Sequence, residues 1–150
     1  MSVKDKIFSG NNPVSVTVGG VTYSGVMVFA HRAGAVGGGD VAEHRTVPGY
    51  SGPQGFTHKH KERVIIVTID SWELQDNLEN GGYWHDGDDN KVLPFEVKQK
   101  RGDGKTRTVK FDTENTLLVR MESNLENLAK QQGTELTILT SGKPTKTPWA

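Results

Sequence analysis

The residues with the clearest potential for chemistry are His58 and His60, which would point the same way on an extended strand. A zinc site needs a third nitrogen, and the chain has three other histidines that could supply it: His31, His44 and His85. Basic residues crowd the pair, namely Lys59, Lys61 and Arg63. We therefore interpret the histidine pair as the polar end of an extended arm, and we expect no metal site and no cofactor.

The run HDGDDNK resembles the start of a calcium-binding loop, because Asp86, Asp88 and Asn90 stand at alternate positions. The match fails further along. Lys91 occupies the sixth position, where the loop requires glycine, and Val97 occupies the twelfth, where it requires a bidentate glutamate. The sequence favours an Asp/Gly surface turn here.

Three further patterns have ordinary explanations or lack a required part. Arg101-Gly102-Asp103 matches an adhesion tripeptide, but Asp103-Gly104 between alternating residues is typical of a hairpin turn. The run AGAVGGGD is not followed by the Gly-Lys-Ser/Thr of a phosphate-binding loop. Since the chain also has no nucleophile elbow and no paired-carboxylate motif, we predict that it is not an enzyme.

Charge is distributed in two adjacent segments of opposite sign. Residues 71–90 contain only acidic charges: Glu73, Asp76, Glu79, Asp86, Asp88 and Asp89. Residues 91–111 contain mostly basic ones: Lys91, Lys98, Lys100, Arg101, Lys105, Arg107 and Lys110. The two segments either pair within the fold or meet on neighbouring copies. The second arrangement is a head-to-tail contact, which builds rings or filaments.

Length and composition limit the possible classes of protein. A chain of 150 residues suits one core, so we expect an N-terminal arm over 1–12, one β-rich domain over 13–140 and a flexible tail over 141–150. Equal numbers of basic and acidic residues, 18 of each, argue against a protein that coats nucleic acid or binds an anionic membrane. Without cysteine, disulfides and thiolate sites are excluded. We also expect no signal peptide and no membrane-spanning segment, because no apolar run comes near the roughly 18 residues that a membrane helix needs.

The first clear strand pattern is a hairpin. Val14, Val16 and Val18 alternate with polar residues, Gly19-Gly20 form a two-residue turn, and the chain returns through Val21 and Tyr23. Gly25 then predicts a bulge or a close backbone approach, after which residues 26–29 are expected to continue the second strand.

Residues 31–61 have almost no periodic apolar signal and are rich in glycine, which predicts a long loop. The loop is either an irregular excursion or an extended arm that lies on another surface. The second possibility rests on apolar residues spaced as anchors: Val41, Val47, Tyr50 and Phe56.

Residues 63–70 predict a strand that is apolar on both faces and therefore central, or covered by a helix or another subunit. Ser71 is then expected to cap a short helix in which Trp72, Leu74 and Leu78 share one face, and Gly81-Gly82 end it. Residues 95–111 predict a second hairpin that turns at Asp103-Gly104.

The segment 112–132 is ambiguous. It contains a helical stripe of apolar residues, yet Ser123 to Glu126 form a capping box that would start a helix only at Leu125. We favour a strand over 116–121 and a helix to Gln132, with one long helix as the alternative. A last strand over 135–140 completes a mainly β fold, a sandwich or partial barrel with one or two flanking helices.

Taken together, these elements resemble the tail-tube proteins of contractile-tailed bacteriophages and related injection machines. The resemblance is carried by the opening hairpin, the long Gly-rich loop, the strand-then-helix unit and the charged hairpin, over roughly residues 13–140. It implies hexameric rings that stack into a hollow tube, with strands of all subunits joined in an inner barrel. The length of the loop is a departure that would suit a baseplate or neck ring.

The resemblance implies a structural protein of the virion tail, made in the host cytoplasm, with DNA only as passing cargo. Sheath or baseplate proteins would be its partners besides its own copies, and no membrane is involved. The alternative is a binding module whose long loop holds a small ligand or a protein. We predict that the following residues contact other subunits: Val41, Val47, Tyr50, Phe56, Val64, Ile66, Asp86, Asp88, Asp89, Lys98, Lys100, Arg101, Lys105 and Arg107.

Overall fold

The computed structural model of the chain describes residues 3–10, 12–52, 54–87, 89–123 and 133–150. The strands, in chain order, are β1 Ser15–Val18, β2 Val21–Tyr23, β3 Val26–Ala35, β4 Ala42–His44, β5 Phe56–His58, β6 Lys61–Ile69, β7 Phe95–Lys100, β8 Thr106–Lys110, β9 Thr116–Ser123, β10 Thr134–Thr140 and β11 Thr145–Lys146. Among these residues there is one α-helix, α1, over Glu73–Asn80, and short 3-10 helices span Val3–Asp5 and Thr113–Asn115. None of the described helices is long and apolar enough to cross a membrane.

The strands form two main antiparallel sheets. The first sheet has the order β11-β8-β7-β1-β2, and the second has the order β3-β6-β10-β9. Buried side chains from both sheets make one core, to which α1 and Leu93 also contribute. The prediction of a mainly β fold is confirmed. Within the described ranges, the sheets do not close into a barrel.

The predicted opening hairpin is confirmed. Val18 pairs with Val21 across a turn in which Gly19 has φ 60° and Gly20 has φ 87°, a conformation that strongly favours glycine. Gly25 marks a close backbone approach, because a Cβ at this position would lie 2.8 Å from the carbonyl oxygen of Asp70. The expected continuation of β2 beyond Gly25 is wrong. The chain changes sheets there, and β3 pairs with β6.

The strand β6 lies in the centre of the second sheet, between β3 and β10, as its apolar sequence predicts. Ile65, Val67 and Ile69 are fully buried in the core, whereas Ile66 on the other face is only partly covered. Since both edges of β6 are occupied within the chain, a neighbouring subunit could cover only its outer face.

The predicted loop over 31–61 contains β-structure at its base and in its middle. At its base Ala35 pairs with Lys61, and in its middle β4 pairs with β5 in a two-stranded sheet that joins neither main sheet. The sequence missed these strands because a ladder between two exposed strands needs backbone hydrogen bonds but no apolar alternation. We call residues 36–60 the extended arm.

The helix α1 follows β6 as predicted, but its start and its apolar face differ. Leu74 and Leu78 are buried, while Trp72 is 82% exposed at the N-cap position. Ser71 stands one residue earlier, and its Oγ accepts a hydrogen bond of 3.3 Å from the backbone N–H of Glu73. The prediction that Trp72 shares the buried face is therefore wrong.

The second predicted hairpin is also present, formed by β7 and β8. Its turn is tied by Asp103, whose carboxylate accepts hydrogen bonds from the Arg101 guanidinium at 2.7 Å and from the backbone N–H of Lys105 at 3.1 Å. These hydrogen bonds, chiefly the one from Arg101, hold the pKa of Asp103 below its usual range. Gly104 has φ 90°, as the last residue of such a three-residue turn requires.

The ambiguous segment begins as a strand. β9 covers the predicted strand over 116–121, so the alternative of one long helix is wrong for this part. The helix expected up to Gln132 lies outside the described residues. After β10, the C-terminal segment lies beside β8, where Thr106 and Ala150 exchange two backbone hydrogen bonds of 3.0 Å.

Candidate interaction surfaces

The second sheet has an open edge along β3, with which only β6 pairs among the described strands. Val36 donates its backbone N–H to His60 across the ladder, whereas the N–H of Ala35 turns away to Gly39. Because these directions alternate along an antiparallel strand, the N–H of Ala33 faces away from β6, as do those of His31 and Phe29. A bulge between Val26 and Val28 ends this alternation. This edge offers hydrogen-bond donors and acceptors to an added strand.

The opposite edge of the sheet, along β9, is partly covered. The carbonyl oxygen of Thr116 accepts a hydrogen bond of 2.8 Å from the backbone N–H of Leu93, and that of Leu118 accepts one of 2.8 Å from the Asn90 side chain. A bulge follows at Val119. Beyond it the hydrogen-bonding directions alternate again, so the backbone N–H and C=O of Met121 point away from β10. Only the second half of β9 is therefore available for pairing.

The face of the second sheet that points away from the core carries several partly exposed apolar side chains. Several large hydrophobic residues on these strands are more than one-third exposed: Val28, Leu117, Val119 and Leu139. Charged side chains interrupt them, among which Arg120 forms an ion pair with Glu122. Exposed apolar patches of this kind often mark surfaces that contact another molecule.

The extended arm contains the four predicted apolar anchors. Tyr50 and Phe56 are exposed, whereas Val41 and Val47 are half-buried. The arm holds its own shape, because His44 stacks on Phe56 with ring centroids 5.1 Å apart and Lys59 forms an ion pair with Glu43. Two of the four anchors are thus presented to solvent on an ordered hairpin.

The two charged segments do not pair with each other where the structure describes them. No acidic group of residues 71–90 lies within 4 Å of a basic group of residues 91–111 in the described ranges. Asp86, Asp89, Lys98 and Lys105 are exposed, and Lys100 is half-buried. Asp88 lies outside the described residues. Their predicted contacts with other subunits remain predictions.

Two of the predicted contact residues, Arg101 and Arg107, are engaged within the chain. Both guanidinium groups stack on the ring of Trp149, at 5.1 Å and 4.5 Å from its centroid. The N-terminal segment also covers this hairpin tip, because Phe8 forms a β-bridge with Arg101. The tip of the second hairpin is therefore less available to a neighbour than its sequence suggests.

The histidines and the calcium-like run do not assemble a metal site among the described residues, where no group of three potential ligands occurs. His58 ends β5, but His60 lies between strands. Asn90 has a structural role, because its side chain accepts a hydrogen bond from the backbone N–H of His85 and donates one to Leu118.

Sequence reasoning missed a cavity of about 290 Å³ between the two sheets at one end of the core. Its walls include Arg63 of β6 and Arg107 of β8. Each arginine lies two residues before a core residue on the same strand, Arg63 before Ile65 and Arg107 before Val109, so both begin on the inward face. A charged residue that continues the alternation of core residues on a strand is the sequence signal that could reveal this site.

His31 also lines this cavity, and its environment disfavours the protonated ring. Burial, chiefly, and then the nearby charges of Arg63 and Lys146 lower the pKa of His31 below its ordinary value. The imidazole Nε2 lies 3.5 Å from Nη1 of Arg63. At neutral pH the cavity therefore contains a neutral histidine among fixed positive charges.

The comparisons with known proteins give a distant likeness among solved structures. No protein-family model matches the chain, and no curated protein sequence matches it. Among solved structures, the structure of Hcp1 from Flavobacterium johnsoniae is similar, with 18% sequence identity and a TM-score of 0.47. The alignment covers 88% of this chain and 92% of that chain. A likeness at this distance assigns no activity and no partner.

Proposed function

We propose that this chain is a non-enzymatic structural subunit of a contractile injection machine, a bacteriophage tail-tube subunit or a tube-like ring of the baseplate or neck. The observation that supports the proposal is the second sheet, which has open backbone at its two opposite edges, on β3 and on the second half of β9. Two different complementary edges on one subunit are what a head-to-tail assembly requires.

The directions of the strands fit a closed ring. All neighbouring strands in the second sheet are antiparallel, so β3 and β9 run in opposite directions. A rotation about an axis roughly along the strands keeps those directions in every copy. The β9 of one subunit would therefore lie antiparallel to the β3 of the next, and the joined sheet would continue the pattern found within each chain.

Such a ring also removes two exposed sheet edges, which would otherwise favour unspecific aggregation. The apolar outer face of the second sheet would then line the channel, where charges of both signs, Arg120 and Glu122 among them, are present. A channel wall without a strong positive field would let DNA pass without binding it tightly, consistent with DNA as cargo.

The extended arm gives a surface for contact between stacked rings. Its exposed Tyr50 and Phe56 are aromatic side chains of the kind that dominate protein contacts, and its internal ion pair and stacking keep it ordered. We place the protein in the virion tail, with its own copies as the main partners, in hexameric rings, and sheath or baseplate proteins as neighbours.

The experiment is to measure particle mass by light scattering after size exclusion, at increasing protein concentration, and to image the same fractions by electron microscopy. We expect rings, and tubes at high concentration. A strictly monomeric protein at high concentration, without rings or tubes, would contradict the assembly and would favour a binding module instead.

A further inference from the structure

The cavity between the two sheets combines an apolar floor with a basic rim. Val97, Val109 and Phe111 contribute buried side chains to its lining, and the half-buried Phe29 extends this apolar surface. A volume of about 290 Å³ is near the lower end of small-molecule sites, which run from roughly 300 Å³ upward. The space suits a ligand of about one or two rings rather than a long chain.

The charged side chains that line this cavity are all basic: Arg63, Arg107, Lys143 and Lys146. None of the four has a carboxylate within 4 Å among the described residues, although the chain as a whole has equal numbers of acidic and basic groups. Four like charges around one opening repel one another, and an anion placed between them would relieve that repulsion.

The polar groups are fixed before a ligand arrives. The Arg107 guanidinium donates a hydrogen bond of 2.8 Å from Nε to Gln99 and stacks on Trp149. Arg63 extends from β6 toward the imidazole of His31. Guanidinium groups match carboxylate and phosphate geometry well, and here two of them approach the same opening from opposite sheets.

We propose that this cavity is a binding site for a small amphipathic anion, with an aromatic or compact apolar body against Phe111 and Val109 and a carboxylate or phosphate at the basic rim. Nothing in the assembly of rings requires such a site, so this proposal goes beyond the structural function and does not depend on it. The shared chemistry is a ring that carries one anionic group, whether free in solution or at the end of a peptide.

The test uses equilibrium dialysis at low ionic strength with three probes. 2-Naphthoate has both the ring and the charge, 2-naphthamide has the ring alone, and acetate has the charge alone. We expect saturable binding of 2-naphthoate with a dissociation constant on the order of 1 mM or lower, and at least about tenfold weaker binding of the other two probes.

Two variants locate the site. Lys146→Ser, at an exposed position of β11, and Arg63→Gln, on the wall, should each weaken 2-naphthoate binding about tenfold. Lys6→Ser removes the same charge from an exposed position outside the cavity lining and should leave binding unchanged. Thermal unfolding of each variant shows whether it is folded.

Equal binding of 2-naphthoate and 2-naphthamide would overturn the proposal, because it would mean unspecific contact with the apolar sheet face. So would unchanged affinity in both cavity variants, or no saturable binding up to about 10 mM, well above the expected dissociation constant.

A peptide that ends in a phenylalanine carboxylate, compared with its C-terminal amide, distinguishes a chain terminus from a free small molecule as the source of the anion. Particle mass is measured on the same samples, so a failure of assembly and a failure of binding are separate results.

Discussion

The Nε2 atom of His31 lies 3.5 Å from Nη1 of Arg63, although one residue is on the edge strand of the second sheet and the other is on its central strand. Phe111, which directly follows β8 of the first sheet, places its ring edge-on to the same imidazole, with centroids 5.4 Å apart. Residues of both sheets thus meet at one histidine. The nearby charges that act on it come from Arg63 on β6 and Lys146 on β11.

Replacing Arg63 should change the titration of His31. Burial and the two positive charges lower its pKa, so Arg63→Gln should raise the pKa of His31 toward its ordinary value, which is about 6.5. The measurement is the pH dependence of the histidine ring resonances by NMR. Lys6→Ser is the control and should not move the His31 resonance midpoint. An unchanged midpoint in Arg63→Gln would contradict the contact.

The same shift predicts how stability depends on pH. Because the folded-state pKa of His31 is lowered, the unfolded chain takes up the proton first as pH falls below about 6.5. The contribution of His31 to the free energy of unfolding therefore decreases through the window between that value and the lowered one. His31→Gln should lose less thermal stability than the parent between pH 8 and pH 5.5. An equal loss in both proteins would exclude His31 as a source of the pH dependence.

Gly25 should tolerate no side chain. A Cβ there would lie 2.8 Å from the backbone oxygen of Asp70, at the point where the chain passes from one sheet to the other. Backbone atoms cannot move aside cheaply, so Gly25→Ala should lower the free energy of unfolding by about 1–3 kcal/mol. Gly10→Ala is the matched control, because a Cβ at Gly10 has no atom within 4 Å. Chemical denaturation measures both, and equal stability of the two variants would contradict the close approach.

Trp72, at the N-cap of α1, and Leu74, in its first turn, should differ sharply in how much their truncation lowers the free energy of unfolding. Leu74 is fully buried, so Leu74→Ala should reduce the free energy of unfolding by about 2–5 kcal/mol. Trp72 is 82% exposed, and Trp72→Ala should change it by less than about 0.5 kcal/mol. Urea titration followed by circular dichroism distinguishes them. A large loss of stability in Trp72→Ala would contradict its exposed position and support the sequence prediction that Trp72 lies on the buried face of the helix.

Local signals decided which parts of the fold were predictable. Gly19-Gly20 between alternating residues fixes a hairpin by itself, and the apolar run around Ile65 identifies a central strand. Whether Trp72 lies inside the helix depends on where the helix begins. The apolar pattern of so short a helix does not locate its first residue. The arm strands were missed because their side chains are exposed on both faces. Arg63 begins the predicted strand, and because it lies two residues before the buried Ile65 its side chain faces the end of the core.

Tyr50 on the extended arm should matter for assembly and little for folding. Its side chain is 67% exposed, so Tyr50→Ser should change the free energy of unfolding by less than about 0.5 kcal/mol. Phe56 is left unchanged, because its stacking on His44 helps to hold the shape of the arm. If the arm joins stacked rings through Tyr50, this variant should yield single rings in place of tubes by electron microscopy. Tubes of ordinary length would show that the Tyr50 side chain does not carry the contact.

The proposed joining of sheets can be tested at one backbone group. The N–H of Ala33 faces away from β6, so Ala33→Pro removes a donor that only a neighbouring strand would use. The substitution should leave a folded subunit, because the ladder to β6 does not need this N–H. It should weaken ring formation, because it removes the donor and turns the proline ring toward the added strand. Light scattering and electron microscopy would detect this as a shift toward monomer at each protein concentration.

Arg32→Pro is the matched control, one residue away on the same strand. Its N–H faces β6 by the same alternation, so proline there removes a hydrogen bond within the subunit, which contributes about 1 kcal/mol, and places the ring against the partner strand. This variant should unfold at a lower temperature, whereas Ala33→Pro should unfold close to the parent monomer. If Ala33→Pro formed rings at the same protein concentrations as the parent, neighbouring subunits would not pair through the edge of β3, since an added strand cannot replace the donor that proline lacks.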